Sequence, residues 1–285
     1  MKTFPECIPC FIKQVLDAAW ALSLSDEETR IALMEALEAA RNADWNLPAP
    51  LTGRDMHGIT ARQQGTPDPW AAHKRLHTQT ALDLLPRLQR MVDASPDPFA
   101  AAVQFAVAGN AIDLGVTSAH DPDVDRAFAA ALQRPLNPDG LEDLRRSVEE
   151  ARAVLFLADN AGEIVFDIPL LERIGPSKLT VVVRGRPILN DATMDDAEQS
   201  GLTRRFTVID NGSDIPGTWL PDCSPSFRAA FSAADLIISK GQGNFETLSE
   251  VQAPVIFVFL VKCAVVARIT GEPVGTAIVK RAATP

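Results

Sequence analysis

Near residue 149 the chain changes its pattern, from apolar positions three and four apart to short unbroken apolar runs. Upstream, "IPCFIKQVLDAAWAL" and "SDEETRIALMEALEAARN" place their apolar residues at helical spacing. The second opens on Ser25 with Glu28 three residues on, the reciprocal capping pattern of a helix start. "AAHKRLHTQTALDLLPRLQRMV", "DPFAAAVQFAVAGNAIDLG" and "DVDRAFAAALQR" predict further helices. The proline-rich "NLPAPLTG" and "GTPDPW" read as connections, because proline lacks a backbone donor and restricts the residue before it. No internal repeat is visible.

Downstream, "AVLFLAD", "KLTVVVRG", "RFTVIDN", "ADLIISKG" and "PVIFVFL" are short β-rich runs that predict strands, and "GTAIVK" adds an edge strand. Between them "EIVFDIPLLERI", "ATMDDAEQSGL", "PSFRAAFSA" and "NFETLSEV" predict helices. Strands that alternate with helices build parallel βαβ units, so the expected class is α/β with an open three-layer α/β/α sheet. A helical N-terminal domain is expected over residues 1–148 and the sheet domain over 149–285. In such sheets ligands sit beyond the carboxyl ends of the strands, where the strand order reverses.

With 285 residues, 46% of them hydrophobic, the chain can bury a full core. A net charge of -10 and a pI near 4.9 argue against non-specific nucleic-acid binding, which needs a basic face. "MKTFPECIPCFIKQ" has prolines and cysteines where a signal peptide needs a continuous apolar stretch. The longest apolar run, "APVIFVFLVKCAVVA", is interrupted by Lys262 and reads as strand then helix, not as a membrane span. A soluble, cytoplasmic protein is therefore expected, without a membrane or nucleic-acid partner. Four cysteines do not make a disulfide scaffold in a chain this long. The oligomeric state is not legible.

The chemistry gathers at the predicted strand tips. Asp159 and Asn160 follow the first strand; Gly185, Asn190 and Asp191 follow the second. Asp210, Asn211, Gly212 and Asp214 follow the third, and Lys240, Gly241, Gly243 and Asn244 the fourth. Singly, such residues cap helices and form turns. Together they line one rim with oxygen donors suited to a hard cation and with glycines and a lysine suited to a phosphate. "GQGNFE" carries two glycines of the dinucleotide fingerprint, but Glu246 stands where the third belongs and would repel a pyrophosphate.

In the helical half, Asn110 and Asp113 of "GNAID" lie on one helix face, either paired internally or lining the cleft. Trp70 and His73 of "DPWAAHK" are further cleft candidates, while His73 and His77 at i, i+4 read as a solvated face. Cys7 and Cys10 of "ECIPC" fit a redox pair, half of a metal site with Cys263, or two buried thiols.

The ordered set "CIPC", "DPWAAHK", "GNAID", "ADNAGE", "RGRPILNDATMDDA", "SKGQGNFETL" and "VKCAVVA" resembles the damage-control phosphatase family, formerly the domain-of-unknown-function 89 family, with its ARMT1-like metal-binding domain. The N-terminal C-x-x-C is similar to the stand-alone microbial branch. Trp70, where tyrosine is expected, and Ala264, where proline is commoner, depart from the pattern. The resemblance implies a helical domain packed on a Rossmann-like domain, and a phosphatase of sugar phosphates or damaged phosphorylated cofactors. It implies a divalent metal (Mg²⁺, Mn²⁺, Co²⁺ or Ni²⁺) held by Asp159, Asn160 and Asp191. Asn190 and Asp195 would stand nearby, and Lys240 with Gly241, Gly243 and Asn244 would face the phosphate, Asp159 and Lys240 being catalytic. Glu163 and Arg184 complete the substrate-facing set, with Asn110 and Asp113. A non-catalytic sugar-phosphate binder and an S-adenosylmethionine-dependent carboxyl methyltransferase are the alternatives, though the latter leaves the oxygen donors unexplained.

Overall fold

The computed structural model of the chain describes residues 1–111 and 135–282. The expected helix "DVDRAFAAALQR" lies outside the described residues.

Three N-terminal helices, α1 (Cys7–Ala21), α2 (Asp26–Arg41) and α3 (Ala49–Gln64), share their own apolar cluster of Phe11, Val15, Ala32, Ala36, Met56 and Ile59. At the start of α2 the Glu28 backbone N–H donates to Ser25 Oγ at 3.3 Å, and the Ser25 N–H donates back to Glu28 Oε2 at 2.8 Å. The capping pattern read from sequence is therefore formed. The stretch "NLPAPLTG" is not a connection throughout, because α3 begins inside it. Pro50 sits in the first turn, where no intrahelical N–H is required, and Gly65 ends the helix at φ 65°.

Helices α4 (Ala71–Asp93), α5 (Pro98–Ala111) and α6 (Pro138–Glu150) follow, α4 running through Pro86. The sheet domain then alternates: β1 (Val154–Leu157), α7 (Glu163–Ile174), β2 (Leu179–Val183), α8 (Met194–Gln199) and β3 (Thr207–Asp210). After these come α9 (Pro225–Ala233), β4 (Leu236–Lys240), α10 (Gln242–Leu248), β5 (Val255–Leu260), α11 (Ala264–Thr270) and β6 (Ala277–Arg281).

The six strands lie in the order β3-β2-β1-β4-β5-β6, all parallel except β6, which runs antiparallel to β5. The expected α/β sheet and its edge strand are both present. Strand residues alternate between two cores, as the pleat requires. Val154, Phe156, Val181, Ile238 and Val258 pack with Leu85 of α4, Val103 of α5, Leu144 of α6 and Ile168 of α7. Leu155, Leu157, Val182, Ile237 and Phe257 pack with Phe227 of α9, Leu248 of α10 and Val266 of α11. The helices upstream of residue 149 therefore divide: α1–α3 build a cluster of their own, while α4–α6 join the sheet's core. The strand order reverses between β1 and β4, which places the ligand-binding switch point at their carboxyl ends.

Candidate active site

At that switch point Asp159 and Asn160 follow β1, and Gly241 follows β4. Gly241 adopts φ 81°, and a Cβ there would lie 2.0 Å from Asp159 Oδ2, so only glycine fits. The segment after β2 folds across the same tips. Its Asn190 carbonyl accepts from the Ala161 N–H, its Ala192 N–H donates to the Asp159 carbonyl, and its Ala192 carbonyl accepts from the Arg184 N–H, each at 2.8 Å. Leu189, at φ 46°, is held in the left-handed region that a branched side chain disfavours, a local strain beside the site.

This stitching brings Asp159, Asn160, Asn190 and Asp191 to one end of a cleft of about 490 Å³. Cys7, Cys10 and Gln14 of α1, and Pro50, Gly53 and His57 of α3, form the facing wall. Burial pushes the Asp159 carboxyl up to about 8, and the nearby Glu163 and Asp191 reinforce the shift. Burial also raises Asp191, while Arg184 pulls the other way. Arg184 is buried; its Nε donates to Asp191 Oδ2 at 2.7 Å, and its Nη2 lies 3.9 Å from Asp159 Oδ1. The Asn160 amide nitrogen donates to Glu163 Oε2 at 3.1 Å and Asp159 Oδ2 at 3.4 Å, which leaves its carbonyl oxygen unspent on either.

Among the described residues no three His, Cys, Asp or Glu side chains converge as a metal site. The trio expected from sequence is instead two carboxylates and an amide, and it fits a hard divalent cation on the chemistry of its donors. All three are oxygen donors in one cleft, and burial raises both carboxyls even with Arg184 beside them, a cost that a bound cation would relieve.

Lys240 is placed differently from the expectation. It is fully buried beneath the strand tips and donates to Glu163 Oε1 at 2.5 Å and Asp167 Oδ1 at 2.6 Å, away from the cleft. Burial works against its charge, but Asp167 and Glu163 outweigh it and hold the ammonium above its ordinary range. Burial lifts Asp167 to about 7 although Lys240 opposes the rise. Glu163 thus belongs to this buried triad as well as to Asn160. Asp167 is not among the residues the sequence assigns to the site; its signal is a carboxylate one helical turn beyond Glu163, between the apolar runs Ile164–Phe166 and Ile168–Leu171.

Asp195 is not brought in either. It is exposed on the first turn of α8, and its neighbour Asp196 turns inward instead. Asp196 Oδ2 accepts from Thr193 N–H at 2.9 Å, Thr193 Oγ1 at 2.6 Å and Lys74 Nζ at 2.9 Å. Lys74 also pairs with Asp68 at 2.8 Å, so α4 anchors the segment that carries Asp191. Asn244 is buried as a strut, donating to the Lys240 and Ala158 carbonyls at 2.7 and 3.2 Å and accepting from Thr218 Oγ1 at 2.7 Å. Gly243 does line the cleft. The Asn110 side chain and Asp113 lie outside the described residues.

Trp70 is buried, in contact with the His73 ring, and lines a separate cavity of about 180 Å³ with Arg54 and Leu189. His77 is buried against Gly162, so His73 and His77 do not form a solvated face. Cys7, Cys10 and Cys263 are free thiols lining the cleft, and burial raises the first two. Cys263 Sγ also caps α11, accepting from the Val266 N–H at 3.5 Å. Three further groups line the cleft that the sequence does not assign to the site. His57 Nε2 meets Gln14 Oε1 at 3.1 Å, Nδ1 has no partner, and burial lowers the ring to about 4. Burial lifts Glu246, which lines the cleft from α10, to about 7. Lys262, exposed at the cleft just after β5, is a cation that Asp159 feels.

A doubly wound α/β sheet with oxygen donors clustered at its switch point defines an α/β protein whose cleft offers donors of the kind that suit a hard cation. The chain belongs to the damage-control phosphatase ARMT1-like family, whose model matches residues 3–278. It is 32% identical to the damage-control phosphatase PH1575 of Pyrococcus horikoshii, covering 99% of this chain and 98% of that one. It is 34% identical to a damage-control phosphatase of Archaeoglobus fulgidus, covering 98% and 99%. The crystal structure of PH1575, a DUF89 family protein, superposes with a TM-score of 0.88 at 29% identity over 99% of this chain and 100% of that one.

Proposed function

We propose that this protein is a divalent-metal-dependent phosphatase of small phosphorylated metabolites, sugar phosphates or damaged phosphorylated cofactors among them. Family membership supports phosphatase activity. The observation that carries the rest is the placement of Asp159, Asn160 and Asp191 at one end of the 490 Å³ cleft, on the sheet's switch point. Those three residues would hold the ion, which when bound supplies Lewis-acid polarisation of phosphoryl oxygens.

The chain's own residues account for the other requirements. Arg184 holds Asp191 in place and stands close to Asp159, which orients both carboxylates before substrate arrives. Gly241 and Gly243 remove the side chains that would crowd the site. Lys262 takes the phosphate-facing part expected of Lys240, offsetting charge as it develops on the leaving group and phosphoryl oxygens. The buried Lys240, Glu163 and Asp167 triad serves instead as the rigid floor beneath Asn160. Elsewhere in the cleft, Gln14, His57, Gln242 and Glu246 offer hydrogen bonds to the organic part of the substrate.

The test is phosphate release from a panel of sugar phosphates and p-nitrophenyl phosphate, in EDTA and then with each divalent ion, on wild type and Asp159→Ala. Turnover that needs an ion and vanishes in the variant is expected. A folded protein that releases no phosphate with any ion, yet binds sugar phosphates, would be a binding protein. Heat on titration with S-adenosylmethionine would favour the methyltransferase.

A further inference from the structure

Three of the chain's four cysteines line the cleft. Cys7 and Cys10 come from the first turn of α1, and Cys263 from the start of α11. Each lies within reach of the others' charge, so the three form one cluster. The fourth, Cys223, is buried and donates to the Trp219 carbonyl at 3.3 Å. Burial pushes its thiol up to about 12, the condition of an inert core cysteine. The phosphatase chemistry proposed above uses none of the cleft thiols.

Within the cluster the geometry singles out Cys7 and Cys10. Positions three apart on a helix hold their Cα atoms about 5 Å from each other, within the roughly 4.4–6.8 Å that a disulfide spans. Their Cβ atoms must still draw closer, and the first turn is where a helix can yield. There the Cys7 and Ile8 N–H groups donate to the Phe4 and Pro5 carbonyls, at 2.9 and 3.3 Å, and Pro9 has no N–H to lose. Cys10 is exposed and Cys7 half-buried, so an oxidant can reach the pair from the cleft. Cys263 is engaged elsewhere, its Sγ accepting from the Val266 N–H and from Gln242 Nε2 at 3.6 Å. Cys10 Sγ accepts from Gln14 Nε2 at 3.3 Å, and Gln14 Oε1 meets His57 Nε2. Cys10 thus ends a chain of contacts that orients the α1 and α3 wall.

We propose that Cys7 and Cys10 are a reversible oxidation site of the cleft, a dithiol that hydrogen peroxide converts to a disulfide, and that the conversion weakens binding of the substrate's organic part. Cys10, the exposed sulfur, attacks the peroxide O–O bond as its thiolate. One oxygen stays on Cys10 as a sulfenic acid, and the other leaves as hydroxide and takes up the proton that the thiol released. The Cys7 sulfur then attacks Cys10 Sγ; the S–S bond forms and the second oxygen leaves as water with the Cys7 proton. Two electrons pass from the two sulfurs to one peroxide, which becomes two waters. A dithiol reductant returns both thiols by exchange. Burial raises both thiols, so the pair reacts slowly and answers sustained oxidation. Drawing Cys10 Sγ onto Cys7 takes it from Gln14, and the Gln14–His57 wall loses its orientation.

The test is to treat the full chain with hydrogen peroxide in EDTA, then measure its mass, its peptide map and its free thiols after unfolding. Wild type is expected to lose about 2 Da, to fall from four free thiols to two, and to show a Cys7–Cys10 link that dithiothreitol reverses. Cys263→Ser should form the same link, and Cys7→Ser should form no intramolecular disulfide. With the metal restored, the oxidised wild type should show a KM for sugar phosphates raised several-fold with little change in kcat. Oxidation should leave the KM of Cys7→Ser where it was. The KM measurement rests on the phosphatase reading, whereas the mass and the thiol count do not. Four thiols that survive peroxide, a link that includes Cys263, or a Cys7–Cys10 disulfide with an unchanged KM would each overturn the proposal.

Discussion

Gly241 and Asp159 are in such close approach that one methyl group on the glycine would occupy the place of the carboxylate, 2.0 Å from Oδ2. The two residues end different strands, β4 and β1, which the sheet makes neighbours. Gly241→Ala forces either the aspartate or the strand tip to move. It also places a side chain at φ 81° and ψ 157°, a region essentially confined to glycine, a strain of about 1–3 kcal/mol. Phosphatase turnover is expected to fall on the order of 100-fold, the effect of misplacing a reacting group by about 1 Å. A thermal melt should show a smaller, separate loss of stability. An alanine variant with wild-type turnover would remove Asp159 from the reaction.

The buried triad gives a stability prediction. Lys240→Met leaves Glu163 and Asp167 buried without their cation, a change that costs about 3–5 kcal/mol. Unpaired buried carboxyls favour the protonated form, so the folded state then binds more protons than the unfolded one. The variant should therefore lose less stability in acid than at neutral pH. Urea unfolding at the two pH values measures the difference; equal losses would show that the triad is not charged.

His57 adds an acid sensitivity of the opposite sense. Its folded ring titrates at about 4, below the ordinary value of 6.5, because burial disfavours the imidazolium. Between those values the unfolded chain takes up a proton that the folded one refuses. The stability that the neutral ring contributes is fully present above pH 6.5 and is lost as the pH falls to 4, by roughly 3 kcal/mol. Denaturant titrations across this window should show the slope in wild type and a flatter profile in His57→Gln.

A divalent ion bound only by the folded protein raises its stability by mass action, about 2.7 kcal/mol at a hundred times Kd. Mg²⁺ or Mn²⁺ should accordingly raise the melting temperature of wild type above its value in EDTA. Asp191→Ala should abolish that rise. An equal rise in the variant would strike Asp191 from the ligand set.

Much of the site was legible because strand tips advertise themselves: an apolar run ending in Asp159 and Asn160 has no need of two such side chains for capping alone. What went astray did so for reasons of register. Asp195 and Asp196 are adjacent in sequence but lie about 100° apart around α8, and only packing against Lys74 shows which one faces inward. Lys240 shares the parity of Leu236 and Ile238, whose side chains face the α7 layer, so the pleat carries its ammonium to Asp167 rather than to the cleft. Helix α3 was hidden because its prolines and few apolar positions give little periodicity; Pro50 falls where a helix tolerates it.

The strands, their alternation between two cores, the capping of α2 and the kind of atom offered at each tip follow from the sequence itself. Propensity, pleat and side-chain chemistry act over a few residues, and a few residues suffice to read them. Which carboxylates meet, which cation faces the cleft, and that α1 and α3 close it with His57, Gln14 and the thiols were decided by tertiary structure. Those residues lie far apart along the chain, and they converge only once the strand order and the folding of the 188–193 segment across the tips have brought them together.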